Sequence, residues 1–303
     1  MSLLVVGSIA LDTVETPTGR ADEALGGSAV YFSLAASYFT DVMMVGAVGH
    51  DFPPEHKDLL ESRGIDTSGL VHLDGKTFRW TGRYAENMND RETLDVQLNV
   101  FDGFRPDIPE AFRGAKHVFL ANASPEIQMH VLEQIESPEF VASDTMNIYI
   151  ENELDALKRL MPRVHCFVLN DEEAVMLTGE RSIVSAARAI LDMGPATTII
   201  KKGAHGSVMA SQEDVFLLPA YPLAREIDPT GAGDSFAGAF CGTVAKSGAE
   251  FAGLRRAMAY ATVTASFCVE GFSVDGFREL RRADIDERYE DFMRMTHVER
   301  VIG

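Results

Sequence analysis

Short runs of β-branched and other apolar residues recur along the chain at positions 3–6, 42–45, 117–120, 140–142, 165–169 and 197–200. Several are almost unbroken by polar residues. A strand covered on one face alternates apolar and polar positions, whereas a strand covered on both faces does not. These runs therefore predict parallel strands buried on both sides. Between them lie helical patterns: one over 28–39, one marked by Leu154, Leu157, Leu160 and Met161, and one by Ile183, Ala187, Ile190 and Leu191 at three-to-four spacing. Strands alternating with helices predict a doubly wound, mostly parallel α/β sheet flanked by helices and joined by right-handed crossovers.

Residues 71–100 break this alternation. The stretches TFRWTGRY and ETLDVQLNV alternate in polarity, as antiparallel strands with one exposed face do. They predict a small β appendage, either a lid or a surface hairpin without a role. Residues 232–269 are rich in Ala and Gly and read as helical. No repeat, low-complexity tract or Pro/Gly-rich linker divides the chain, so 1–303 is expected to form one α/β domain with the appendage inserted in it.

Composition narrows the partners. Forty-six per cent of the residues are hydrophobic, enough for a sizeable core, and the net charge is −19. Nucleic acid and anionic membranes both require a basic footprint, so neither is expected as a partner. A nucleotide ligand is still compatible, because backbone amides, a few cations and Mg²⁺ can supply a local positive field. The N-terminal MSLLVVGSIALD lacks a basic region and reaches Asp12 too early for a signal peptide. No apolar run approaches the ~20 residues of a membrane span. The cysteines Cys166, Cys241 and Cys268 are odd in number and scattered. They suggest neither a disulfide framework nor a zinc site, and a cytoplasmic setting is expected.

The most informative segment is EIDPTGAGDSFAGAF, residues 226–240. Asp228 and Pro229 end an extended stretch, Gly231-Ala232-Gly233 form a turn, and a helix of small residues follows. Glycines at a helix start let backbone N–H groups converge, and the helix dipole adds positive charge, which makes an anion hole. Asp234 would then sit beside a site for anions. Two readings stand: a base that takes a proton from an attacking hydroxyl, or an N-cap aspartate on a glycine turn. NDEE at 170–173 and the Asp144-Thr145-Met146-Asn147 turn after a predicted strand each admit a ligand-binding and a purely conformational reading.

DPTGAGDSFAGAF resembles the C-terminal signature of the ribokinase-like (PfkB) family of carbohydrate and nucleoside kinases. Gly26-Gly27-Ser28, VGSIALD ending at Asp12, VGAVGHD at 45–51 and NDEEAVMLTG at 170–179 resemble further family segments in the expected order. The resemblance implies an ATP- and Mg²⁺-dependent kinase of a small sugar or nucleoside. Asp234 would be the general base, and Gly231, Ala232 and Gly233 would stabilise the transferring phosphoryl group. Asp12, Gly26, Gly27 and Ser28, with Tyr31, would form the acceptor site. Asn170 and Glu173 match an Asn-x-x-Glu motif tied to Mg²⁺, often through water. Lys201, Lys202, Gly203 and Gly206 lie where the family contacts the nucleotide. Asp228 and Thr230, with Gly271 later, resemble a monovalent-cation loop that would take K⁺. The resemblance further implies a lid formed by about 12–26 and 71–100, and a homodimer paired through it.

The chain also departs from the family pattern. Tyr31 stands where ribokinases carry asparagine, and Ala123 stands before Ser124-Pro125 where they carry glutamate. Both changes make the acceptor pocket less polar and favour a bulkier acceptor such as a nucleoside. Arg79, Arg83 and Arg91 in the lid leave a sugar phosphate as an alternative, and Trp80 between the first two is placed either to stack on the acceptor or to pack the lid. A catalytically silent nucleotide- or sugar-binding regulator of the same fold is the other alternative, against which the retention of Asp234, Glu173 and the glycine turn argues. A dinucleotide-dependent oxidoreductase would need GxGxxG after the first strand, which VVGSIALD lacks, and P-loop and protein-kinase motifs are missing.

Overall fold

A computed structural model describes residues 2–297. In chain order its strands are β1 (Ser2–Val6), β2 (Ala10–Thr16), β3 (Gly19–Gly26), β4 (Asp41–Val48), β5 (Ile65–His72), β6 (Phe78–Tyr84), β7 (Arg91–Gln97), β8 (His117–Leu120), β9 (Phe140–Asp144), β10 (Cys166–Asn170), β11 (Thr197–Lys201), β12 (Ser207–Ser211) and β13 (Val215–Leu218). The helices are α1 (Ser28–Ala36), α2 (Pro54–Ser62), α3 (Pro125–Leu132), α4 (Asn147–Asn152), α5 (Leu154–Leu160), α6 (Asp171–Thr178), α7 (Ile183–Leu191), α8 (Ala232–Ser247), α9 (Phe251–Val269), α10 (Asp275–Arg278) and α11 (Arg282–Thr296).

The main sheet runs β13-β12-β11-β10-β9-β8-β1-β4-β5. From β11 to β5 all neighbours are parallel, and the hairpin β12–β13 extends the edge antiparallel. Successive side chains of β1 enter different cores, as its unbroken apolar run predicts. Leu3 and Val5 pack with α1, α8 and α9 through Phe32, Phe240 and Met258. Leu4 and Val6 pack on the other face with Val131 of α3, Leu157 of α5 and Ile190 of α7. Helices therefore cover both faces, which is why the parallel strands lose the alternation of a half-exposed sheet.

A second sheet, ordered β3-β2-β6-β7, stands apart from the first. Its two hairpins are antiparallel, but β2 and β6 pair parallel, so the sheet is mixed rather than wholly antiparallel. Residues 71 and 72 belong to β5 in the main sheet and not to this appendage. Leu11 and Leu25 root it in the main core. Farther out, Val14, Tyr84 and Met88 form a small cluster of their own against Trp80. The three cysteines are free and buried, and among the described residues no helix is long and apolar enough to cross a membrane. The predicted span 1–303 includes Met1 and 298–303, which lie outside the described residues.

Candidate active site

The candidate residues converge on the carboxyl edge of the main sheet. Chain connectivity reverses direction between β1 and its neighbours β4 and β8, and ligands of open α/β sheets bind in the crevice such a reversal leaves. Asp144 ends β9, Asn170 ends β10 and Lys201 ends β11, so three polar side chains rim that crevice.

Helix α8 points its N-terminus at the same place. Gly231 is its N-cap in the left-handed conformation, with φ 75°. A Cβ there would lie 2.3 Å from the ring of Tyr31, so both the backbone twist and the ring beneath demand glycine. The Ala232 N–H donates to the Pro229 carbonyl at 3.2 Å, and the Ser235 N–H donates to the Gly231 carbonyl at 2.8 Å. Between them, the N–H groups of Gly233 and Asp234 have no hydrogen-bond partner among the described residues. The Gly231 N–H has none either, so of the Gly231–Gly233 set the sequence suggests only Ala232 is engaged, and Asp234 adds a further open donor. The dipole of a 16-residue helix reinforces them. The Lys201 Nζ sits 2.8 Å from where a Cβ on Gly233 would be, so an ammonium group flanks the same turn.

Asp234, in the first turn of α8, lies between these donors and a group of other acids. Burial pushes its carboxyl above the usual range, while Lys201 and Arg91 pull it back. Asp144 is buried, and its Oδ1 has no partner. Burial raises it well above the ordinary value, the nearby Asp234 and Glu173 add to this, and Lys201 and the Asn122 N–H oppose it. Glu173 is buried too and forms a capping box with Asn170. The Asn170 N–H donates to Glu173 Oε2 at 2.8 Å, and the Glu173 N–H donates to Asn170 Oδ1 at 2.7 Å. The conformational reading of NDEE is realised: Asn170 is occupied by the cap, while Glu173 keeps one oxygen out of it. Among the described residues no three acidic, His or Cys side chains form a direct metal cage. An orphaned Asp144 oxygen and a half-engaged Glu173 instead fit a hydrated Mg²⁺, which keeps several waters and needs few protein ligands. Asn147 is exposed at the start of α4, away from this group.

On the acceptor side, Asp12 of β2 is 5 % exposed. Burial raises its carboxyl to about 7, helped by Asp228 and Asp234 and opposed by a hydrogen bond from the Gly27 N–H. Gly26 is indispensable to this placement, since a Cβ there would lie 2.0 Å from Asp12 Oδ2. The Ser28 hydroxyl pairs with that of Ser8 at 3.0 Å and accepts the Ser8 N–H, so it braces the entrance to α1. Tyr31 is 1 % exposed with its hydroxyl unpartnered, near Asp12, Asp228 and Tyr84. It supports the Gly231 turn from below instead of lining open space. Ala123 is likewise buried.

Asp228 Oδ1 accepts the Thr230 N–H at 2.9 Å and Oδ2 accepts the Ser273 N–H at 3.1 Å, while the Cys268 thiol reaches the Thr230 carbonyl at 3.4 Å. These bonds tie the 228–230 turn to the loop around Gly271. Gly203 and Gly206 shape the turn after β11 through positive φ angles. Two contributors carry no signal in the sequence. Tyr84 of β6 meets the Thr230 hydroxyl at 3.3 Å, and Asn122, after β8, keeps a buried, unpartnered Oδ1. Neither stands in a recognisable motif, and each reaches the site only through long-range packing.

The chain is similar to known proteins along most of its length. Residues 2–277 match the model of the pfkB family carbohydrate kinases. A cytidine kinase of Thermococcus kodakarensis is 31% identical over 246 residues, 79% of this chain and 87% of the relative. Among solved structures, the Burkholderia thailandensis nucleoside kinase in complex with inosine superposes with a TM-score of 0.77 at 21% identity, over 96% of this chain and 98% of that one. An E. coli protein assigned as ribokinase II, in complex with ATP and Mg²⁺, gives a TM-score of 0.78 at 18% identity, over 96% and 99%.

Proposed function

Because the chain belongs to the pfkB family of carbohydrate kinases, we propose that it transfers the γ-phosphoryl group of ATP to a hydroxyl of a nucleoside, with Asp234 as general base. The observation that carries this is the position of Asp234 among the unpartnered amides of Gly231, Gly233 and Asp234 itself at the start of α8. Asp12 holds the acceptor by its hydroxyls, which suits a vicinal diol because a carboxylate offers two acceptor oxygens. Asp234 takes the hydroxyl proton as the acceptor oxygen bonds to the γ-phosphorus. The bond from that phosphorus to the bridging oxygen breaks, and ADP leaves. The Gly233 and Asp234 amides, the α8 dipole and Lys201 bear the charge on the transferring group. Mg²⁺, when bound, neutralises the β- and γ-phosphates; Glu173 and Asp144 would hold it through water. Burial that raises Asp234 makes it a better base than a solvated aspartate.

A nucleoside is preferred to a simple sugar because a cytidine kinase and a nucleoside kinase are among the relatives, and because Ala123 puts a buried methyl where the resemblance implies a polar contact. The oxygens of Asp228 and the Thr230 carbonyl each accept one bond from this chain and keep a lone pair for the K⁺ that the resemblance implies, on which the proposed reaction does not depend. The lid leaves Leu94, Val96 and Leu98 exposed along and just after its edge strand β7, and a homodimer contact is proposed there.

The test is a Mg·ATP phosphorylation screen over nucleosides, cytidine included, sugars and sugar phosphates, with Asp234→Asn alongside. Wild type should phosphorylate a nucleoside, and the variant should lose ~10²–10⁴-fold in kcat with little change in ATP affinity. Wild-type turnover by Asp234→Asn would refute the mechanism. Tight ATP binding without turnover of any acceptor would identify a silent regulator.

A further inference from the structure

The lid is hydrogen-bonded to the segments around Asp228 and Gly231 by side chains at three places. Thr18, in the turn between β2 and β3, donates its hydroxyl to the Ile227 carbonyl at 3.0 Å. The Ser273 hydroxyl donates to the carbonyl of Leu25, near the end of β3. The third tie joins the hydroxyls of Tyr84 and Thr230, 3.3 Å apart. Of the three, this one alone reaches Thr230, the residue covalently joined to Gly231.

Thr230 passes that contact into the turn. Its N–H donates to Asp228 Oδ1 at 2.9 Å, and its carbonyl accepts the Cys268 thiol at 3.4 Å. Burial raises the Asp228 carboxyl, and Thr230 opposes this through both its hydroxyl and its N–H. The Thr230 side chain therefore stands between Tyr84 and Asp228. Tyr84 itself is held firmly. It ends β6, is 8 % exposed, and packs its ring with Val14 and Met88. Val14 lies two residues after Asp12 on β2. A packed aromatic ring thus runs from the strand that carries Asp12 to the turn that opens α8.

We propose that Tyr84 is a positioning residue: through Thr230, its hydroxyl fixes the Gly231 turn, and with it the open amides and Asp234, relative to the Asp12 strand. The ring belongs to the lid cluster and the hydroxyl to Thr230, so Tyr84 acts on the reaction without touching either substrate. This rests on the kinase reading given above. Phosphoryl transfer needs the acceptor oxygen in line with the bond that breaks. A turn free to shift leaves both substrates able to bind but takes that oxygen off line, so the loss falls on kcat and not on KM.

Tyr84→Phe removes the hydroxyl and keeps the ring. Its kcat should fall about 10–10²-fold, while acceptor KM and calorimetric affinity for a non-hydrolysable ATP analogue with Mg²⁺ stay within about twofold. Thr230→Val should lose at least as much, because it also frees Asp228. The double variant should lose little more than Thr230→Val alone, since both changes cut one path. Glu92→Ala, an exposed change opposite Arg83 on the same hairpin, should leave kcat unaltered. Amide exchange in the ligand-free protein gives a reading that needs no turnover. A peptide over 230–235 should exchange about tenfold faster in Tyr84→Phe, and one over Asp12 at the wild-type rate. Wild-type kcat in folded Tyr84→Phe, or additive losses in the double variant, would overturn the proposal. So would a rise in acceptor KM with kcat unchanged, which would make Tyr84 a direct acceptor ligand. Failure of wild type to phosphorylate any acceptor would defeat the proposed function. Exchange over 230–235 would still decide whether Tyr84 holds the turn, and an unchanged rate there would show that it does not.

Discussion

Gly26→Ala tests the acceptor site at its tightest point. Gly26 ends β3 opposite β2, and its φ lies outside the left-handed region, so alanine is acceptable to the backbone. The obstacle is the carboxylate of Asp12. The new methyl carbon would stand 2.0 Å from Oδ2 and 2.5 Å from Cγ. Since ordinary contacts begin near 3.4 Å, the carboxylate must retreat by more than an ångström. A displacement of that size at a positioning group costs about 10²-fold, or about 2.7 kcal/mol. Loss of one charge-assisted hydrogen bond, about 1.5–3 kcal/mol, gives the same range independently. Crowding in the buried pocket should also cost ~1–3 kcal/mol of stability, a fall of several degrees in Tm. The assay is steady-state kinetics with acceptor varied at saturating MgATP, beside a thermal melt. Acceptor kcat/KM should fall about 10²-fold with the KM for ATP unchanged. Adding Asp12→Ala to Gly26→Ala should cost little more, because both act on one contact. If folded Gly26→Ala keeps wild-type kcat/KM for the acceptor, Asp12 is not its anchor.

The raised carboxyl of Asp12, at about 7, predicts that acceptor KM climbs roughly tenfold per unit as pH falls below 7, since only the ionised form accepts two hydroxyls; a flat KM between pH 5.5 and 8 would contradict this. The same group also sets a sign for stability. Its folded value lies above the unfolded 3.8, so the contribution is complete below 3.8 and is lost as pH rises toward 7. The ligand-free protein should therefore melt at higher temperature at pH 6 than at pH 8, and Asp12→Asn should shrink the difference; a larger difference in the variant would reverse the argument. Replacing Leu94 and Val96 by aspartate on the exposed edge of the lid should yield monomers in sedimentation if that edge pairs two copies, and an unaltered dimer would place the contact elsewhere.

The main sheet is legible because burial on both faces removes polar positions from its strands, and a run such as that of β1 can be read without knowing its neighbours. Pairing partners are another matter. That β2 lies parallel to β6, or that β12 and β13 extend the edge, depends on contacts between distant segments and leaves no local period. The site divides in the same way. The Gly231–Asp234 turn is visible because glycines ahead of a run of small residues mark a helix start, although spacing alone leaves Asp234 as either a base or a cap. That Ala232 alone of the three spends its amide on a turn onto Pro229 is a detail no spacing discloses. Tyr31 is noticeable as a departure, but only packing shows that its ring lies under Gly231.

The lid arginines show most clearly why composition stops short of function. Arg79, Arg83 and Arg91 are the same residue type within thirteen positions, and nothing local distinguishes them. What separates them is the position of acids from elsewhere in the chain: Glu15 on β2, Glu23 on β3 and Asp51 after β4 claim the first two. The sheet that presents Arg91 also carries Asp12 on β2, so the arginine that no described carboxylate pairs with and the acid proposed to hold the acceptor share one element.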